Sequence, residues 1–225
     1  TVARESDAVA YTLAGPEIAV ASTKAYTTQI LVLTLLALSL AKLKGREHPD
    51  LIKGLLQLPL LGHKVLNGKE DIKTMAARMA DTHDVFYIGR GLDYALAMEG
   101  QLKLKEISYL HAEAYAAGEL KHGTLALIQE GVPVVAIITQ KDVWEKAVSN
   151  ILEVKARGAE VWGIVDDRLP ASLPIDHYIP IPIGHALLAP VLAAIPLQLL
   201  AYYTAVARGE DVDQPRNLAK SVTVE

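Results

Sequence analysis

The chain has 225 residues, a formal net charge of −4 and 51% hydrophobic residues, enough apolar material for a sizeable core and too much for a disordered chain. With no basic block, the composition argues against nucleic acid as the main partner. With no cysteine, disulfides and thiolate metal sites are excluded, and the composition fits a reducing, cytoplasmic setting.

Thr1 opens the sequence where a full chain would have Met, and no signal peptide is visible, which suggests a piece of a longer polypeptide. Thr1 to Gly15 reads as a helix end and an extended piece, with Ala14-Gly15-Pro16 as a turn. Ser22-Thr23 looks like an N-cap for a long apolar helix over Lys24 to Lys44, closed by Gly45. So apolar a helix needs cover on most sides, and the preceding residues are too few to supply it. Residues 25–41 and 177–207 carry no Asp, Glu, Lys or Arg. The first run is short and holds Thr27, Thr28, Gln29, Thr34 and Ser39, and prolines interrupt the second. Both are expected to be helices buried in a soluble domain, with no membrane.

Gly45 to Gly68 reads as a connector holding a short helix, Asp50 to Leu58, that stops before Pro59. From Lys69 onward helix and strand alternate. Helices are expected over Asp71–Thr82, from about Asp93, over Lys141–Arg157 and over Leu187–Arg208. Strands are expected at Val85–Ile88, Val132–Ile138, Val161–Val165 and His177–Ile181. Strands separated by helices of a dozen or more residues predict an α/β fold, a parallel sheet with helices on both faces. In such folds ligands sit beyond the carboxyl ends of the strands, where the Gly89-Arg90-Gly91 turn would lie. That turn could cradle an anion at the next helix N-terminus, or be only a tight turn.

Ionisable residues are densest between Glu99 and Leu125. Lys103 and Glu106, three apart, share a helix face. A carboxylate held near a lysine, followed by a histidine in a glycine-bounded segment (His122 between Gly118 and Gly123), is what proton transfer on a polar substrate requires. The alternatives are a solvated amphipathic helix and a surface histidine. Lys220, near the end of the sequence, could act as a Schiff-base amine only if a folded-back tail desolvated it. The seven histidines are scattered, and no metal site is expected.

Residues 102–123, LKLKEISYLHAEAYAAGELKHG, together with Asp211 to Glu225, Arg4-Glu5-Ser6-Asp7, Ala14 to Glu17 and Val20 to Ala25, resemble the isomerase part of the glutamine–fructose-6-phosphate aminotransferase family. The resemblance implies a sugar-isomerase (SIS) fold of two similar domains, each a five-stranded parallel sheet between helices. It divides the chain into the end of a first SIS domain (1–45), a connector (46–69), a second SIS domain (70–208) and a tail closing the sugar site (209–225). It implies that Glu106 moves the proton between C1 and C2, with Lys103 beside it. It further implies that His122 assists ring opening at a neighbouring subunit's site, that Lys220 forms the Schiff base, and that Val20, Ser22 and Ala219 line the sugar site. No cofactor is implied. The partners implied are fructose 6-phosphate, glucosamine 6-phosphate, a second copy in a dimer, and a glutaminase domain of the parent chain.

Three departures qualify the resemblance. No Ser/Thr-rich phosphate loop precedes Thr1, no glutaminase cysteine is present, and Thr124 stands where proline is usual. This piece alone is therefore expected not to complete the reaction from glutamine and to bind phosphosugar weakly or not at all. Other readings are an SIS-fold amino-sugar-phosphate deaminase or deglycase, and a non-catalytic sugar-phosphate sensor.

Overall fold

Runs of β-branched and aromatic residues form the strands β1 (Asp84–Gly89), β3 (Pro133–Ile138), β4 (Glu160–Asp166) and β5 (His177–Ile181) in a computed structural model that describes residues 2–170 and 172–219. A further strand, β2 (His111–Ala116), was not foreseen from the pattern; it pairs with β1, Asp84 opposite His111. The order β2-β1-β3-β4-β5 is parallel throughout. Side chains alternate between the sheet's two faces. Val85 and Tyr87, Val135 and Ile137, and Trp162 and Ile164 point one way, toward α4 (Lys69–Met79), α5 (Leu92–Ser108) and α7 (Ala189–Ala207). Phe86 and Ile88, Val134 and Ala136, and Val161 and Val165 point the other way, toward α6 (Trp144–Lys155) and the 3-10 turns Ala117–His122 and Thr124–Leu127. The expected three-layer α/β arrangement is what forms.

The region before the sheet departs from expectation twice. The short helix before Pro59 is instead α3 (Pro49–Asn67), which runs through the proline. Pro59 lies on the exposed side, and burial of Leu51, Gly54, Leu58 and Val65 holds both halves on one axis. Packing outweighs the lost hydrogen bond. The apolar helix α2 (Lys24–Leu43), after the short α1 (Val2–Glu5), has no buried residue. Tyr26, Ile30, Leu31 and Leu38 rest against the core, while Leu33, Leu35, Leu36, Leu40 and Leu43 are exposed. Lys24–Leu43 and Ala186–Ala207 are both long and apolar enough to cross a membrane. More than half of the second is buried, as a core helix should be, so the expectation of burial holds for α7 and fails for α2. Among the described residues α2 packs mainly along one side, which is why it is left open. Thr23 sits at its N-cap without a side-chain capping bond; instead Glu17 Oε1 accepts from Thr23 N (2.6 Å) and Oγ1 (3.2 Å).

Candidate active site

The centre of the candidate site is built on α5. Its apolar residues Leu96, Ala97, Leu104 and Ile107 bury one face against the sheet and α7. That packing takes the stem of Lys103 with it, leaving the residue 4% exposed. A buried ammonium needs compensation. Glu106 Oε2 supplies it at 2.5 Å from Lys103 Nζ, and Glu99 Oε1, one turn earlier, lies 3.8 Å away. Glu99 Oε1 is buried and has no hydrogen-bond partner among the described residues. Burial pushes the Glu99 carboxyl above the usual range, Lys103 opposes that shift, and the Glu106 charge adds to it. Tyr26 on α2 is likewise raised, first by burial and then by the Glu99 charge. The helix therefore carries a carboxylate–ammonium–carboxylate row on three successive turns.

Lys103 and Ile107 line a cavity of about 200 Å³ that the loop before α2, α7 and the tail complete. The loop before α2 contributes Ala19, Ala21 and Thr23, α7 contributes Gln198, Ala201 and Tyr202, and the tail contributes Val212 and Asp213. After α7, Asp211 Oδ1 accepts from the backbone N–H groups of Asp213 (2.9 Å) and Gln214 (3.0 Å), turning the chain. Asp213 O then accepts from Val20 N at 3.0 Å. Further along, Tyr109 Oη accepts from Arg216 N at 2.8 Å, and the Arg216 guanidinium lies 4.0 Å over the Tyr109 ring. Val20 and Ser22 are thus half-buried neighbours of the cavity's loop wall, while Ala219 is exposed. Lys220 lies outside the described residues.

His122 is not brought to this cavity. It ends the 3-10 turn after β2, its side chain is 64% exposed, and its nearest ionic partner is Glu119 at 3.8 Å. Because α5 runs back along the sheet, Lys103 and Glu106 lie toward the amino-terminal edge of the strands, whereas His122 follows the carboxyl edge. The six residues of β2 between the two edges span about 20 Å. The expected ligand position beyond the carboxyl ends is therefore not where the lysine–carboxylate row stands. The Gly89-Arg90-Gly91 segment is a tight turn. A Cβ on Gly89 would come within 2.4 Å of the Asp93 carbonyl, and Gly91 has φ +57°. Arg90 is spent on Asn150 Oδ1, to which it donates from Nε (3.0 Å) and Nη2 (2.8 Å). Among the described residues no group of three His, Asp or Glu side chains could hold a metal ion.

The sequence pattern of the SIS domain family matches residues 78–208, more than half of the chain. The chain belongs to the SIS domain family. Over its whole length it is 59% identical to a glutamine–fructose-6-phosphate aminotransferase [isomerizing] from Symbiobacterium thermophilum, of which it covers 38%. It superposes with a TM-score of 0.90 and 42% identity on the C-terminal domain of a glucosamine-fructose-6-phosphate aminotransferase from Francisella tularensis. That match covers 95% of this chain and 61% of the other. A glucosamine-6-phosphate deaminase from Thermotoga maritima shares the fold at TM-score 0.67 and 23% identity, with 93% of this chain and 59% of that one covered. The chain thus spans well under half the length of the curated relative. Within this SIS domain, Glu99 is the residue that sequence reasoning passed over. Its spacing, four before Lys103 and seven before Glu106, puts all three on one helix face and was visible in the sequence. Only burial distinguishes that row from a solvated one.

Proposed function

We propose that this chain is the isomerase portion of a glutamine–fructose-6-phosphate aminotransferase, a ketose-to-aldose isomerase acting on a fructose 6-phosphate-derived intermediate to give glucosamine 6-phosphate. The observation that carries the reading is the convergence on one cavity of the Ala19–Thr23 loop, the Val212–Asp213 tail and Lys103, whose ammonium is paired with Glu106. All three belong to segments on which the sequence resemblance rests. In this reading Glu106 takes the proton from C1 and returns it at C2, and Lys103 holds its carboxylate in place. Lys220 forms the Schiff base with the ketose. Val20, Ser22 and Ala219 contact the sugar.

His122 assists ring opening at the site of a second copy. The distance between the two sheet edges is the support: one site holding both Glu106 and His122 needs two chains, so the working unit is a homodimer or larger. In the parent polypeptide a glutaminase domain supplies ammonia, and the rest of a first SIS domain covers the open face of α2. The division into 1–45, 46–69, 70–208 and 209–225 follows from the same reading, as does a cytoplasmic site of action.

The test uses a chain of the relatives' full length. Glu106→Gln and Lys220→Ala should each lower glucosamine 6-phosphate formation at least about a hundredfold. Mixing and reassembling Glu106→Gln with His122→Asn should restore about a quarter of the activity, since half the dimers carry one intact site. Full activity in both single variants overturns the site assignment, and a mixture no better than its parts overturns the shared site.

A further inference from the structure

Tyr109 ends α5 in the left-handed conformation, φ +57° and ψ 17°, a place that helices normally give to glycine or asparagine. A side chain with a ring is disfavoured there. Its two contacts with the tail depend on both halves of that side chain. The hydroxyl accepts from the Arg216 backbone N–H at 2.8 Å, and the ring lies 4.0 Å beneath the Arg216 guanidinium. Among the described residues no carboxylate comes within ion-pair reach of Arg216, so the aromatic face is what its charge meets. The neighbouring Pro215 is buried, and Asp213 is tied to Val20. Tyr109 stands three residues after Glu106, and Arg216 four residues before Lys220.

We infer that Tyr109 is a positioning residue: with Arg216 it forms a clasp that mounts the C-terminal tail on the helix carrying Lys103 and Glu106. The inference rests on the proposed reading of the cavity as the sugar site. The unfavourable backbone of Tyr109 is kept because a residue better suited to the turn could not hold the tail.

Tyr109→Asn separates these roles, since asparagine tolerates the left-handed turn but offers neither ring nor phenol. In this chain, hydrogen exchange at residues 211–219 should quicken about tenfold, with the sheet amides and the thermal midpoint unchanged or improved. In a chain of the relatives' full length, KM for fructose 6-phosphate should rise about tenfold at nearly unchanged kcat. Saturating sugar redocks the tail, so only the competent fraction at low sugar is lost. Tyr109→Phe, which keeps the ring, should show a smaller rise. Unchanged exchange at 211–219 overturns the inference. So does a lowered midpoint with KM untouched, the mark of a purely structural residue. Glu106→Gln run in parallel keeps the two ideas apart: full activity there overturns the site reading, while the exchange measurement still judges the clasp.

Discussion

Replacing Lys103 by methionine tests the electrostatics of the row on α5. The substitution keeps most of the aliphatic stem in place and removes the one charge between Glu99 and Glu106. Stripping a cation from a buried carboxylate costs about 3–5 kcal/mol. The Glu106 side chain is 22% exposed and that of Glu99 12%, so solvent moves the cost to the lower end, about 3 kcal/mol near neutral pH. For a chain of this size that is a fall in thermal midpoint of about 9 °C. The sign with pH follows from Glu99. Its carboxyl is already raised by burial, and without Lys103, the group that opposes the rise, it goes higher. A raised carboxyl favours the folded state when protonated, and that contribution is lost as pH rises through the folded pKa. The deficit of the variant should therefore be largest at about pH 7.5 and shrink toward about pH 4.5. Urea unfolding of both proteins across that range measures it. An equal deficit at both ends, or none at the upper end, would refute the picture of a buried row held by one ammonium.

Two further outcomes concern the carboxyl edge of the sheet. Asp93 accepts hydrogen bonds from Thr139 N at 2.8 Å and from the Thr139 hydroxyl, yet burial, which outweighs them, pushes its carboxyl up to about 6. Its contribution is complete below the ordinary value of 3.8 and lost as pH rises through about 6. Asp93→Asn should therefore gain about 2 kcal/mol relative to the parent between about pH 4.5 and 7.5 in urea titrations, and a constant difference would contradict the shift. Gly89→Ala places a methyl against the Asp93 backbone carbonyl, where no side chain can give way. It should cost about 2–3 kcal/mol in the same measurement.

Much of the fold was legible because the central strands are continuous apolar runs and the helices between them are amphipathic. Val134 to Ile138 and Val161 to Val165 can be little else than buried parallel strands. β2 was not legible, because His111-Ala112-Glu113-Ala114-Tyr115-Ala116 alternates small and polar residues at an edge and carries no apolar run of its own. α3 runs through Pro59 against its local pattern, since a rule about proline has no knowledge of Leu58 and Val65 docking on either side. Of the candidate site, the pair Lys103–Glu106 could be read from spacing. Neither its burial nor the buried Glu99 oxygen that lacks a hydrogen bond could be, because both depend on α7 and the sheet closing around α5.

The sequence alone determined the alternation of elements, the apolar character of α2 and α7, and, through its motif blocks, the SIS kinship. Those are properties of residues and their neighbours along the chain. The tertiary structure decided which of the two apolar helices is covered, at which edge of the sheet the lysine–carboxylate row stands, and that the tail returns to Val20 and Tyr109. The return of the tail depends on contacts between segments far apart in sequence, as in the Arg216–Tyr109 hydrogen bond, which spans 107 residues. No local pattern encodes such a contact; it forms only when packing of the intervening core brings its partners together.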